Sequence, residues 1–558
     1  MSASTTPDSE ISETEVLQTR SPDHLVEATV IARQNLRSLP ELSTASIARL
    51  IEGVKNEAKQ DRKAIEILEQ QVAVYKSFLH PIQRLPPEIL SRIIAYAGDT
   101  NVFSGEATIH WQSAILSCVS PLWRELALKM PEMWCHLRVE LPVRRNHYAA
   151  VSKAMKTHIE RSGHQRNLYV ELFIVENASN DTFLDVNHDV LSDIFAHSHR
   201  ISDLDIQLGH RVPPNTPIGA VLKHFHKSLP VSSSTGRVIS RLTSLRLERE
   251  SQAGRPSPEY HALGLDLHYL LQPNSLQPMI TTITLNPVNV PHLTSVLQLL
   301  PNLTNVEVGL SPTTQAATST NPPTLVLSHL QHLIIRNSSL KHSRDFFSFI
   351  TDIVSALDAP RLKSLTIARG TFAKSSFERL PPSDHGPRLV NSLKAFISRS
   401  NAPLESFSCL GLTIYASDLK RLVEAMPDSL TELNLEDNPT YGALHRSALE
   451  LLALSEGTNV LPRIRILKLF LLYDREWGTV MDVIRSRATS GLKWCRVRIP
   501  GSEEKRKEAS KIMKDNPGLD IDVDEPSYPS AFQGDVNLLL SVRGPIFFEP
   551  RLPTSDRK

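Results

Sequence analysis

Residues 362–367 read Leu362-Lys363-Ser364-Leu365-Thr366-Ile367: an aliphatic residue, two spacers, a second aliphatic, one spacer and a third. The last two aliphatics stand two positions apart, which puts both on one face of a β-strand. The pattern recurs at Ile201-Leu204-Ile206, Leu242-Leu245-Leu247, Ile280-Ile283-Leu285, Leu303-Val306-Val308, Leu330-Leu333-Ile335, Leu430-Leu433-Leu435 and Ile464-Leu467-Leu469. Weaker copies begin at Leu404 and Leu492. Helix-like stretches lie between copies, among them Asp345 to Leu357, Ala416 to Met426 and Thr479 to Arg487. One such hexapeptide arises by chance in an apolar chain. Eight full copies, each followed by helix-like sequence, predict an α/β repeat built from strand-plus-helix units.

The start-to-start spacings run 41, 38, 23, 27, 32, 42, 26, 34 and 28 residues. A regular array of such units keeps within roughly 20–29 residues, so loops are inserted here; Ser311 to Pro323 and Arg255 to Ser257 have loop composition. Upstream, Leu168, Val170, Leu172 and Ile174 alternate strictly and predict a further strand. Downstream, the charged helix Glu503 to Lys514 and the strand Leu519-Ile521-Val523 suit a capping unit. The repeat domain is therefore expected over residues 165–525, followed by a mostly flexible tail, 526–558. The residues between the inward aliphatics face out. Arg246, Glu307, Ile334, Thr366, Asn434 and Lys468 are the outward candidates, and stacked strands would align them into one partner-binding row.

Toward the N-terminus, residues 1–24 are acidic and poor in large apolar side chains, as in a disordered tail. Residues 25–80 contain a helix expected from about Thr44 to Leu79. Two apolar rows recur every seven positions, with Asp61 the only polar exception: Ile47, Val54, Asp61, Leu68, Tyr75 and Ile51, Ala58, Ile65, Val72, Leu79. Such a seam needs a partner surface, either the helix's own domain or a second copy in a homodimer. His80-Pro81 stops the helix.

Residues 81–137 read as a small all-α segment. Leu85-Pro86-Pro87-Glu88-Ile89-Leu90 starts a helix, because proline is tolerated in a first turn and Glu88 suits the positive helix end. Ile89, Leu90, Ile93 and Ile94 form its apolar stripe and Gly98 ends it. Asp99 to Ala107 is expected as a loop and Thr108 to Ser120 as a second helix. Ser120-Pro121 then has the form of an N-cap and first-turn proline, opening a helix that carries Leu122, Trp123, Leu126 and Ala127 and closes at Pro131.

The order Leu85-Pro86, aliphatic stripe, Val119, Trp123-Arg124 and Trp134 resembles the F-box, a helical module that docks proteins onto the Skp adaptor of cullin-RING ubiquitin ligases. The repeats of residues 165–525 resemble irregular leucine-rich repeats. Heptad helix, F-box and irregular repeats in that order are similar to the F-box-like proteins of mushroom-forming fungi. The resemblance implies adaptor contact through Leu85, Pro86, Ile89, Leu90, Ile93, Val119, Trp123 and Arg124, and a target protein held by the repeats. It implies a substrate-recruiting, non-catalytic subunit of a Skp–cullin–F-box ligase. The alternative is an interaction scaffold with no part in ubiquitin transfer.

The rest of the sequence argues against other classes. A formal net charge of +1 provides no basic field for nucleic acid or an anionic membrane. The four cysteines, Cys118, Cys135, Cys409 and Cys495, are scattered, without a C-x-x-C pair. No apolar run reaches the roughly 20 residues of a membrane span, and no secretory signal opens the chain, so the cytosol or nucleus is expected. G-x-S-x-G, G-x-x-x-x-G-K and H-E-x-x-H are absent. The pairs His197/His199 and His224/His226 lack companion ligands in sequence, so no metal or cofactor is expected. Sequons at Asn177, Asn302 and Asn337 carry no weight without secretion.

Overall fold

The computed structural model describes residues 44–79, 82, 85–98, 101–103, 109–143, 146–175, 180–209, 218–230, 240–249, 279–288, 290–310, 324–337, 343–369, 385–411, 415–436, 444, 446–454, 460–471, 474–499 and 502–524. The tails 1–24 and 526–558, the loops Ser311 to Pro323 and Arg255 to Ser257, the His80-Pro81 stop and the sequon Asn177 lie outside them. The chain divides into two compact units, residues up to Leu90 and residues from Ser91 onward.

The first unit is dominated by helix α1, Thr44–Leu79, whose 36 residues match the heptad stretch and span about 54 Å. Of the seam side chains described, Ile51, Val54, Ile65, Leu68 and Val72 are all exposed. Helix α2, Pro87–Ala97, begins in this unit and ends in the second. Pro86 supplies the first acceptor: the Ile89 and Leu90 amides both donate to its carbonyl at 3.0 Å. Gly98 closes the helix by donating to Ile94 O at 2.8 Å. A Cβ at Gly98 would lie 2.4 Å from Met133 Cε and 3.0 Å from Ile94 O, so a larger residue there requires the Met133 side chain to shift.

The second unit is a mixed α/β repeat around one long sheet. Its strands are β1 Asn101–Phe103, β2 Ile109–Trp111, β3 His136–Leu141, β4 Leu168–Ile174, β5 Ile201–Leu208, β6 Ser244–Arg249, β7 Thr282–Val288, β8 Asn305–Leu310, β9 Leu325–Val326, β10 His332–Asn337, β11 Leu357–Asp358, β12 Ser364–Arg369, β13 Ser406–Leu410, β14 Glu432–Glu436, β15 Ile466–Phe470, β16 Trp494–Arg498 and β17 Asp520–Asp524. The helices among them are α3 Gln112–Ser117, α4 Pro121–Lys129, α5 Tyr148–Arg161, α6 Asn180–Phe195, α7 Ile218–Lys227, α8 Val290–Leu299, α9 Ser343–Ala356, α10 His385–Ser400, α11 Ala416–Val423, α12 Arg446–Glu450, α13 Trp477–Ala488 and α14 Ser502–Asp515. Fifteen strands join edge to edge; β9 and β11 pair separately. From β3 to β17 the spatial order follows the chain, as a stacked repeat requires. Among the described strands only β2 runs antiparallel to its neighbour, β1.

Every sequence motif marks a strand, the weaker copies at Leu404 and Leu492 included. The first aliphatic of each motif lies just before its strand, or opens it as Ile201 does in β5, and is buried, and the two alternating aliphatics join one continuous core with the helices. The residue after that first aliphatic carries the stack. Its amide donates to the equivalent carbonyl one repeat earlier, from Thr243 to Ser202, through Thr281, Thr304, Gln331, Lys363, Glu405, Thr431 and Arg465, to Lys493, at 2.7–2.9 Å throughout. Each repeat is thus hydrogen-bonded to its predecessor along its whole edge. The shared core adds about 1.5–3 kcal/mol for each large apolar side chain removed from water.

The segment before the repeats departs from expectation. The stretch assigned to a loop, Asp99 to Ala107, contains β1, and the helix expected over Thr108 to Ser120 is shortened to α3 behind β2. β1 pairs in parallel with β3, so the sheet starts inside the region read as purely helical. The cause is tertiary: Phe103 is fully buried, and Asn101 donates through its side chain to Met133 O at 2.9 Å while accepting from Ser113 Oγ at 2.7 Å. β3 itself, with Leu137, Val139 and Leu141 inward, begins at the end of the segment read as F-box-like.

Candidate functional site

The six outward candidates of the repeats fall on one line. Register pairs Arg246 with Thr284, Thr284 with Glu307, Glu307 with Ile334 and Ile334 with Thr366. It continues through Ser408 to Asn434 and Lys468. From Arg246 to Lys468 the row crosses seven strand gaps, about 34 Å at ordinary strand spacing. It runs on to Arg496 and Asp522 at one end, and to Asp205, Glu171 and Arg138 at the other. Because the alternate residues pack on the helices, this row occupies the helix-free face.

The face has three chemical zones. Its N-terminal part is charged, with Glu171 paired to Arg138 at 3.4 Å, Arg246 to Glu248 at 3.1 Å and Arg336 to Glu307 at 2.7 Å. Its centre is small and uncharged: Ile334, Thr366 and Ser408 in the row, flanked by Ser364, Ser406 and Ala368. Its C-terminal part is charged again: Lys468 pairs with Glu432 at 2.7 Å and stands 5.3 Å from the Trp494 ring, and Arg496 reaches Asp524 at 2.6 Å. Asn434 is the one predicted candidate that is buried, and its Oδ1 has no hydrogen-bond partner among the described residues. Asp205 stands between the aliphatics of a full motif copy and was passed over, whereas Arg138 and Arg496 were missed because their strands hold no copy or a weak one.

The predicted adaptor residues divide into exposed and buried sets. On α2, Ile89 and Ile93 are 44% and 38% exposed, and Tyr96, one turn further on the same face, is 91% exposed. Tyr96 was not singled out in the sequence, although the i, i+4, i+7 spacing from Ile89 points to it. Leu90 is fully buried and Leu85 half-buried, while Pro86 is exposed. Leu90 therefore anchors α2 rather than presenting itself to a partner. In the second unit, α3 and α4 pack together, and Ile115, Val119 and Leu128 are exposed around them. Trp123, expected at the adaptor contact, is buried, and Ala127 one turn on is buried with it. Its indole N–H finds no acceptor among the described residues. Arg124 is exposed and donates to Ser117 O at 3.1 Å, tying α4 to the end of α3. Ser120 caps α4 by accepting from the Trp123 amide at 3.2 Å, so Pro121 sits in the first turn and leaves the helix intact.

The histidine pairs stay apart from any metal-binding arrangement. His224 Nε2 lies 3.1 Å from Ser192 Oγ, and His197 and His199 flank the turn before β5, both pushed below the ordinary histidine range by burial. Among the described residues no group of three or more His, Cys, Asp or Glu is placed to hold a metal ion. Cys409 and Cys495 are buried, and burial pushes each thiol up to about 12. Among the described residues no helix is long and apolar enough to cross a membrane. No protein-family model matches the chain, and no curated protein matches it.

Proposed function

We propose that this chain is a substrate-recruiting subunit of a Skp–cullin–F-box ubiquitin ligase. The segment 81–137 acts as the F-box and the strand-plus-helix array as leucine-rich repeats. The observation that carries the reading is the apolar face of α2: Ile89, Ile93 and Tyr96 stand in water on a helix opened by Leu85-Pro86, the point at which the F-box resemblance expects the adaptor. Large exposed apolar side chains in one row are the composition of an interface. The helix-free face of the sheet takes the target. Holding ligase and target on one chain raises the target's local concentration at the transfer machinery. The chain supplies no catalytic group in this reading, and it works in the cytosol or nucleus.

The test is co-purification of the full chain with a Skp adaptor and cullin. Ile89→Asp with Ile93→Asp places two charges on exposed positions and leaves the circular dichroism unchanged. Adaptor binding is expected to fall at least about 100-fold, since each charge must be desolvated at the interface. Equal binding by the double variant sinks the assignment.

A second reading is favoured by a separate observation, the exposed seam of α1. There the chain is an interaction scaffold that dimerises through Ile51, Val54, Ile65, Leu68 and Val72 and takes no part in ubiquitin transfer. Light scattering that reports a dimer, together with no adaptor binding by the wild type, selects it.

A further inference from the structure

Strands β4, β5 and β6 present a grid of nine side chains on the helix-free face, about 10 Å across the strands and 13 Å along them. Four are carboxylates, Glu171, Asp203, Asp205 and Glu248, and only one, Arg246, is a cation. Two of the four are matched: Glu171 by Arg138 of β3 and Glu248 by Arg246. The hydrogen bonds given to the other two come from neutral groups, and Asp205 shares the charge of its register neighbour Arg246 with Glu248. Asp203 accepts from Ser202 Oγ at 2.6 Å, and Asp205 Oδ2 accepts from Gln207 Nε2 at 2.9 Å. Asp205 Oδ1 is buried in the middle of the grid with no hydrogen-bond donor among the described residues. A buried carboxylate oxygen without a donor is costly, and a group that completes it recovers that cost. Tyr169, partly exposed beside Glu171 and Asp203, adds a ring face on which an alkyl stem or cation can rest.

We infer that this grid is an anchor site for a cationic side chain, lysine or arginine, of the partner protein, seated on Asp205. The inference rests on the reading of the helix-free face as the target-binding surface and adds the class of target: one carrying a basic residue in a segment laid across β4–β6. The excess of carboxylates repels polyanions, so nucleic acid is excluded as occupant. The protonation chemistry agrees. Burial, foremost, pushes the Asp205 carboxyl up to about 7, with Glu171 and Glu248 acting in the same direction and Arg246 and Gln207 against it. An arriving cation favours the carboxylate and expels the proton, so binding tightens as pH rises through about 7.

The experiment selects binders from a phage-displayed library of random dodecapeptides on the full-length wild-type chain. The selected peptides are then measured by fluorescence anisotropy on wild type, Asp205→Asn and Thr366→Trp, all checked for folding by circular dichroism. The expected binders share a lysine or arginine and bind Asp205→Asn about 30-fold or more weakly, the usual consequence of losing one partner of a buried charge pair. They also tighten from pH 6 to pH 8 on wild type but not on Asp205→Asn. Peptides that lose affinity on Thr366→Trp but keep it on Asp205→Asn overturn the anchor while leaving the sheet face as the target surface. Peptides indifferent to both substitutions overturn the face reading as well. A selection that yields no basic binder overturns the anchor.

Discussion

His158 shows how one residue couples the start of the sheet to pH. It is fully buried in α5, with Nε2 3.2 Å from the His136 carbonyl, and its ring meets Phe103 and Trp134 edge-on at 5.6 and 5.4 Å. Burial, first of all, pushes it down from 6.5 to about 3, so it is neutral in the fold. The unfolded chain takes up a proton below pH 6.5 and the folded chain does not. Stability contributed by the neutral ring is therefore present above pH 6.5 and is lost as pH falls from 6.5 toward 3. At pH 5 the loss amounts to about 2 kcal/mol. His158→Gln keeps a donor for the His136 carbonyl and cannot titrate. Its urea midpoint should change less between pH 7 and pH 5 than that of the wild type; equal slopes would show that acid acts elsewhere. Nothing in the sequence marks His158, because its burial is set by Phe103 and Trp134, which reach it from other elements. Leu365 and Ile367, by contrast, are legible as core from their own two-residue spacing.

At the scale of elements, the helices are joined by arginines, Arg399 exposed and Arg487 buried, that sequence patterns do not reveal. Arg399, in the last turn of α10, donates to Val354 O at 2.8 Å and to Leu357 O, carbonyls at the C-terminal end of α9. Arg487, in the last turn of α13, is 1% exposed and donates to Leu452, Val460 and Leu461 carbonyls in the loop beyond α12. Burial pulls its guanidinium down to about 10, still charged at neutral pH. In each case a cation satisfies carbonyls that the end of the previous repeat leaves open. Arg487→Met keeps much of the volume and strands three acceptors, which should cost about 2–4 kcal/mol in a urea titration. Arg485→Met, which removes exposed pairs with Asp482 and Glu508, serves as the comparison and should shift the midpoint far less. Equal midpoints for the two variants would remove the capping role. Elements with a repeating period were readable from the chain: α1 from its heptads, β5 to β16 other than the two-residue β9 and β11 from their hexapeptides, and β17 from its alternation. β1 and β2, at three residues each, are too short to show any period, and only their pairing makes them strands. On α2 the stripe was legible, but not that Leu90 turns inward while Tyr96 turns out.

At the scale of the whole sheet, fifteen strands leave two edges that could pair with another molecule. The N-terminal edge is blunted by geometry, because β2 is only three residues long and reverses direction against β1. The C-terminal edge is a five-residue parallel strand, β17. Residues of α14 occupy two of its outward backbone groups, Ile521 N–H donating to Met513 Sδ at 3.2 Å and Arg506 Nε donating to Val523 O at 2.8 Å, and its own side chains add charge. Asp520, Asp522 and Asp524 alternate along one face, Ile521 and Val523 pack inward, and α14 covers the apolar side with a charged outer surface. Asp522 and Asp524 are balanced on the inner side by Arg496, at 3.4 and 2.6 Å. A second β17 approaching from outside meets the same run of aspartates, and like charges directly opposite are unfavourable. Asp520→Val with Asp522→Val should remove the repulsion while raising strand propensity. The variant is expected to fold and then associate with rising concentration, seen as a growing sedimentation coefficient at a concentration where the wild type is unchanged. It should associate less in the same range when Val523→Pro is added, because proline removes an edge donor. A double variant that sediments like the wild type at every concentration would mean that α14, and not the aspartates, ends the sheet.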